Sequence, residues 1–155
     1  MKVLGIIDED FINYKKASMY IGFPNCSFKC GEGLCQNSSL TKQKRIDISY
    51  ESIIVRYMNN NLTNAIVFAG LEPFDDYLEM FTLIKKFREV TEDDIVIYTG
   101  YNKDELTTEI DVIKQFGIKN IIIKFGRYIP NEELHHDEVL GVKLASNNQY
   151  AERIC

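Results

Sequence analysis

The chain has no surplus of basic charge: 18 Lys and Arg stand against 23 Asp and Glu, a formal net charge of -5. Neutralising phosphates takes a basic excess or at least a basic stripe, so composition argues against an electrostatic nucleic-acid binder. The basic cluster Lys42 to Arg45 is too brief to form such a stripe. Long apolar runs are missing as well. None reaches the roughly 18 to 20 residues that cross a bilayer, and the first residues lack a signal peptide's order of basic, apolar and small segments. The expectation is therefore a cytosolic protein with neither nucleic acid nor membrane as partner. Proline is scarce, at three residues, and no internal repeat is evident. A dinucleotide fingerprint is absent too, because Gly31 and Gly33 lack a third glycine and open no evident helix.

What is present suffices for one packed core. The chain has 155 residues, 45% of them hydrophobic and 12% aromatic, too apolar for disorder and of the size of one domain, residues 1–155. Val3 to Ile7 reads as an opening strand and Ser18 to Phe23 as a second, stopped by Pro24. Tyr50 to Asn59 carries Ile53, Ile54, Tyr57 and Met58 at helical spacing, with Ser49 placed to cap it. Asn64 to Ala69 is an apolar strand. Asp75 or Asp76 is placed to cap a second helix whose face holds Tyr77, Met80, Phe81, Ile84 and Phe87. Asp94 to Thr99 is another strand, Asn102 and Glu105 stand in capping-box arrangement, and Ile110, Ile113 and Phe116 mark a helix stopped at Gly117. Asn120 to Lys124 is the next strand. Strand starts at 64, 94 and 120, each pair separated by a helix, have the rhythm of βαβ units. The tail from Pro130 reads as irregular, with one short strand over Val139 to Leu144 and an exposed His135–His136 pair.

Parallel α/β sheets place their sites at the carboxyl ends of their strands. The chemistry-bearing residues fall there: Cys26, Cys30 and Cys35 after Phe23, Gly70 to Pro73 after Ala69, and Thr99 to Tyr101 after Tyr98. Residues 26–47 read as a long loop, and long ordered loops carry function. Three thiolates in one loop form a soft ligand set for zinc or an iron-sulfur cluster. Zinc would need a fourth ligand from His135, His136 or Cys155; a cubane held by three cysteines leaves one iron open. An electron carrier would use Cys155 as fourth ligand, and a packed core would use no metal.

Met19 to Cys30, with Cys35 to Asn37 beyond it, resembles the cluster strand and loop of radical S-adenosylmethionine enzymes, most closely the small activating proteins of anaerobic ribonucleotide reductases. Gly70-Leu-Glu-Pro73 resembles their Gly-Gly-Glu-Pro segment, Tyr98 to Tyr101 a Tyr-Thr-Gly-Tyr stretch, and Ser146 to Gln149 a Ser-Ser-Asn-Gln stretch. The resemblance runs from about Phe11 to Ile154. Two departures stand out: the second cysteine gap holds four residues, Gly31 to Leu34, instead of two, and Leu34 replaces an aromatic before the third cysteine. Leu71 in place of the second glycine is milder.

The resemblance implies an open partial β/α barrel of about five or six mostly parallel strands. It implies a [4Fe-4S] cluster on Cys26, Cys30 and Cys35 and S-adenosylmethionine against Leu34, Gly70, Leu71, Glu72, Thr99 and Gly100. Glu72 would accept from the methionyl ammonium, Gly70 would allow close approach, and Thr99 and Gly100 would line the ribose side. The implied reaction is one-electron cleavage to methionine and a 5′-deoxyadenosyl radical, which takes a hydrogen from a backbone glycine of a large partner, an anaerobic ribonucleotide reductase-like enzyme. A flavodoxin- or ferredoxin-type reductant would supply the electron. No side chain beyond the cluster and cofactor is implied as catalytic. The rivals are a zinc-stabilised interaction module and an iron-sulfur electron carrier without S-adenosylmethionine chemistry.

Overall fold

The computed structural model describes residues 1–31 and 33–155. Its strands are β1 (Lys2–Val3), β2 (Gly5–Asp10), β3 (Ser18–Phe23), β4 (Ile46–Asp47), β5 (Ala65–Gly70), β6 (Asp94–Tyr98), β7 (Ile121–Phe125), β8 (His135–Asp137), β9 (Val142–Leu144) and β10 (Tyr150–Arg153). The helices are α1 (Tyr50–Met58), α2 (Tyr77–Arg88) and α3 (Thr107–Gln115). A six-stranded sheet has the order β10-β7-β6-β5-β3-β2. Its four central strands, β3, β5, β6 and β7, run parallel, and an antiparallel strand closes each edge.

Because the parallel strands follow one another in a single direction, right-handed crossovers put every helix on the same face. On that face Met19, Ile21 and Phe23 of β3, Ile66 and Phe68 of β5 and Ile95 and Ile97 of β6 pack against Ile53 and Tyr57 of α1, Met80, Ile84 and Phe87 of α2 and Ile110 and Ile113 of α3. The alternate residues point the other way, since strand side chains switch faces with a period of two. There Ala65, Val67, Val96 and Ile122 form a smaller core with Tyr14, Leu140 and Leu144. This cover sits over the amino-terminal half of the strands. It is fastened by the buried Asp94 carboxylate, which accepts from the Tyr14 hydroxyl at 2.9 Å and pairs with Lys16 and Arg153. The carboxyl-terminal half of the same face, where Tyr20, Ala69, Tyr98 and Lys124 point, lines an open cavity.

Several local expectations hold for the physical reason given. Ser49 caps α1, its side chain accepting from the Ser52 N–H at 3.1 Å, and the Glu105 carboxylate accepts from the Asn102 N–H at 2.9 Å. Others are corrected. The opening strand is not Val3 to Ile7: Val3 belongs to β1, paired with Ile46, while β2 starts at Gly5 and runs on through Asp8, Glu9 and Asp10. An edge strand tolerates such charges, because one side of it meets water. Neither Asp75 nor Asp76 caps the second helix with its side chain. Glu72 instead caps a preceding 3₁₀ turn, Pro73–Asp76, by accepting from the Phe74 N–H at 3.2 Å. The 26–47 loop is not wholly irregular, since it contains a 3₁₀ turn at Ser38–Lys42 and β4. The tail is more ordered than its composition suggested: β8 and β9 form a hairpin, and β10 returns antiparallel onto β7.

Candidate functional site

Cys26, Cys30 and Cys35 are half-buried and line one cavity of about 640 Å³, together with Gly70, Leu71, Glu72, Thr99, Gly100, Lys124 and Gln149. The loop after β3 folds back through local turns. Phe28 and Gly31 both take positive φ, at 51° and 88°, and Gly31 donates to the Phe28 carbonyl at 2.8 Å. The Gly31 carbonyl then accepts from the N–H groups of both Leu34 and Cys35, at 3.0 and 3.2 Å. This is how the four-residue gap is accommodated: the turn brings Cys35 back to line the same cavity as Cys30. Glu32, within that gap, lies outside the described residues.

Burial pushes the Cys26 thiol up to about 11 against the Phe28 N–H, which acts the other way, and the carboxylates of Glu72 and Asp75 add to the rise. Burial also raises Cys30, followed by its neighbour Cys35. Without a cation these thiols therefore keep their protons at neutral pH, and a thiophilic metal would have to displace them. Among the described residues, no three His, Cys, Asp or Glu converge on a point that one metal ion could occupy. Three thiols lining one shared space are a soft donor set of the kind that iron-sulfur clusters and zinc both use. Cys155 is remote: its carbonyl accepts from the Ile121 N–H at the start of β7, whereas the cavity opens at the other end of that strand, roughly 13 Å away at ~3.3 Å per residue.

Glu72 leaves β5 by way of Gly70 and Leu71 and is 5% exposed. Its carboxylate accepts from the Thr99 hydroxyl and the Gly100 N–H, both at 2.8 Å, and from the Phe74 N–H. Burial nevertheless dominates and raises it to about 7. Lys124, 7% exposed, donates to the Gly126 carbonyl at 3.0 Å. Burial lowers it to about 8, with the Glu72 charge acting the other way. A buried carboxyl and a buried amine thus line the same cavity as the three thiols.

The structure gathers most of the residues singled out from sequence, in part for other reasons. Gly70 has φ +92°, and a Cβ there would lie 2.8 Å from the Phe23 nitrogen and 2.9 Å from its carbonyl oxygen. Its glycine is required by the close approach of β3. Thr99 and Gly100 line the cavity and also hold Glu72. Leu34 is 58% exposed and does not line the cavity with the others. Sequence reading gave no role to Tyr101, Arg127 or Gln149. Tyr101 donates to Asp75 at 2.6 Å and carries Lys29 over its ring at 4.4 Å, and Arg127 pairs with Glu105 at 2.7 Å. Gln149 is buried and donates to the Gly126 carbonyl at 3.2 Å. The available signals were the Tyr98–Tyr101 stretch for Tyr101 and the Ser146–Gln149 stretch for Gln149, the latter's role emerging only when β10 pairs with β7.

A family model described as a 4Fe-4S single cluster domain matches residues 15–149. That span covers all three loop cysteines and the strands behind them. Comparison with curated proteins and with solved structures returns no match. The chain belongs to the 4Fe-4S single cluster domain family, and an iron-sulfur cluster is its indicated cofactor.

Proposed function

We propose that this iron-sulfur domain is a radical S-adenosylmethionine activase that generates a glycyl radical on a large, anaerobic ribonucleotide reductase-like partner. The observation that carries the reading is the shared cavity: three cysteine thiols, the Glu72 carboxyl and the Lys124 amine line one space of about 640 Å³. That volume suits a drug-sized cofactor with amino, carboxylate and nucleoside parts. Such a cluster, when bound and reduced, supplies one electron to a sulfonium, giving methionine and a carbon radical able to take hydrogen from a backbone glycine.

Cys26, Cys30 and Cys35 would hold the cluster, and Cys155 is placed too far away to fill a fourth corner. Glu72 is suited to accept from the cofactor's ammonium, since its carboxylate is already oriented by three hydrogen bonds. Lys124, the buried cation of the cavity, would meet the cofactor's carboxylate. Tyr20, Tyr98 and Ala69 give the floor its shape, and the small Ala69 leaves room above the sheet. The family match adds support at the level of the cluster. The open partial-barrel form belongs to the same proposal: residues from β2 at one edge to Gln149 beside β10 line a single cavity, as a sheet concave on that side would allow.

The test is anaerobic reconstitution with iron and sulfide, reduction, addition of S-adenosylmethionine and assay for 5′-deoxyadenosine. Formation that vanishes in Cys30→Ser and weakens in Glu72→Ala is expected. Stoichiometric zinc and no iron after reconstitution would point to an interaction module, and a stable cluster with no 5′-deoxyadenosine would point to a carrier.

A further inference from the structure

We propose that the basic outer segment of the cysteine loop, Lys42, Lys44 and Arg45, is the docking surface for an acidic one-electron carrier protein that reduces the cluster. The inference rests on the cluster-binding reading above and names where its electron enters. The surrounding chain is acidic, with a net charge of -5, so a run of three exposed cations within four residues stands out. None of the three is paired with a carboxylate among the described residues; the Arg45 guanidinium instead donates to the Pro24 carbonyl at 3.1 Å, which ties this segment to the start of the cysteine loop. Leu40 and Gln43, interleaved with the cations, line the cavity beside Cys26, Cys30 and Cys35. One short segment thus presents a cationic face outward and cavity wall inward.

A partner seated on that face meets the cluster-bearing loop without entering the cavity, which stays free for the cofactor and the hydrogen donor. The electron has to come from another molecule, because the only other cysteine, Cys155, sits at the far end of the sheet. In the transfer the carrier loses one electron and the cluster gains it, and no bond is formed or broken. Opposite charge on the two surfaces speeds encounter by factors of ~10 to 10³ and falls off with ionic strength.

The probe is an acidic flavodoxin, photoreduced and mixed anaerobically with the reconstituted full chain while cluster bleaching is followed in the visible. At low salt, reversing the patch in Lys42→Glu/Lys44→Glu/Arg45→Glu is expected to slow bleaching at least tenfold, and added salt should erase the difference. Lys42→Glu/Lys44→Glu, which keeps the Arg45 tether, should show most of the effect. Lys114→Glu/Lys119→Glu/Lys143→Glu carries the same change in net charge away from the loop and should behave as wild type. Dithionite should reduce all four proteins equally, and their iron content and dithionite-driven 5′-deoxyadenosine should match, which separates this proposal from the cluster-binding one. Equal rates with flavodoxin in the patch and control variants overturn it. So does a short single-stranded RNA that binds the patch without slowing reduction by flavodoxin, since the patch would then be a nucleic-acid contact.

Discussion

The Thr99 hydroxyl at the end of β6 donates to the Glu72 carboxylate beyond the end of β5, 2.8 Å away, and both groups are buried. This bond orients a carboxylate in the cavity wall, and Thr99 also accepts from the Tyr101 N–H at 3.0 Å. Thr99→Val should leave the Glu72 oxygen and the Tyr101 N–H each short of a partner. We predict a loss of about 1–3 kcal/mol in urea unfolding. Thr99→Ser should recover most of it. An unchanged midpoint in the valine variant would show that the bond contributes nothing.

A pH dependence follows from the two buried charges. Glu72 is raised from 4.5 to about 7, so the folded chain holds that proton more tightly than the unfolded chain, and stability falls as pH rises through that window. Lys124 is lowered from 10.5 to about 8, so the unfolded chain holds its proton more tightly, and stability rises again above about 8. Together these two groups contribute a stability minimum near neutral pH, each flank reaching about 3 kcal/mol at most, with the raised Cys26 thiol opposing the basic flank above about 9. Urea midpoints across the range test this. Glu72→Gln should abolish the acidic flank and, by removing the charge that holds the Lys124 proton, extend the basic one, and a profile identical to wild type would reject the assignment.

Gly70→Ala should destabilise the fold by at least ~2 kcal/mol, from a strained positive φ and from overlap with the Phe23 backbone. Gly33→Ala, where an added Cβ meets nothing within 4 Å, should change stability by under ~0.5 kcal/mol. Denaturation midpoints of the pair separate a glycine required by packing from one that is not.

Cys35→Ser should lose most of the iron and sulfide bound on reconstitution, whereas Cys155→Ser should bind as wild type does. The contrast arises because Cys35 lines the cavity with Cys26 and Cys30 while Cys155 lies beside Ile121. Equal loss in both variants would mean that the carboxyl terminus reaches the cluster.

The parallel core was legible because its strands are unbroken apolar runs separated by amphipathic helices, a pattern that burial on both faces enforces. Local caps at Ser49 and Glu105 were legible for the same reason: their chemistry acts within four residues. The edges were not. β2 is rich in Asp and Glu, β10 is short and polar, and each exists because a neighbour offers a free ladder of backbone groups. Leu34, expected at the cofactor from its place beside Cys35, is left 58% exposed by the turn at Gly31, a direction that spacing alone does not encode.

By itself the amino-acid order determined the clustering of three cysteines in one loop, the alternation of strand and helix, and the placing of the cysteines, Glu72 and Thr99 after strand ends, because residue chemistry and short-range periodicity suffice for these. The tertiary structure alone decided that Glu72 and Lys124 are buried in the wall of the cysteine cavity, that β3 demands the glycine at 70, and that Cys155 is kept apart. Those outcomes depend on which strands lie side by side and which face each side chain takes, relations between residues far apart in the chain that no local pattern carries.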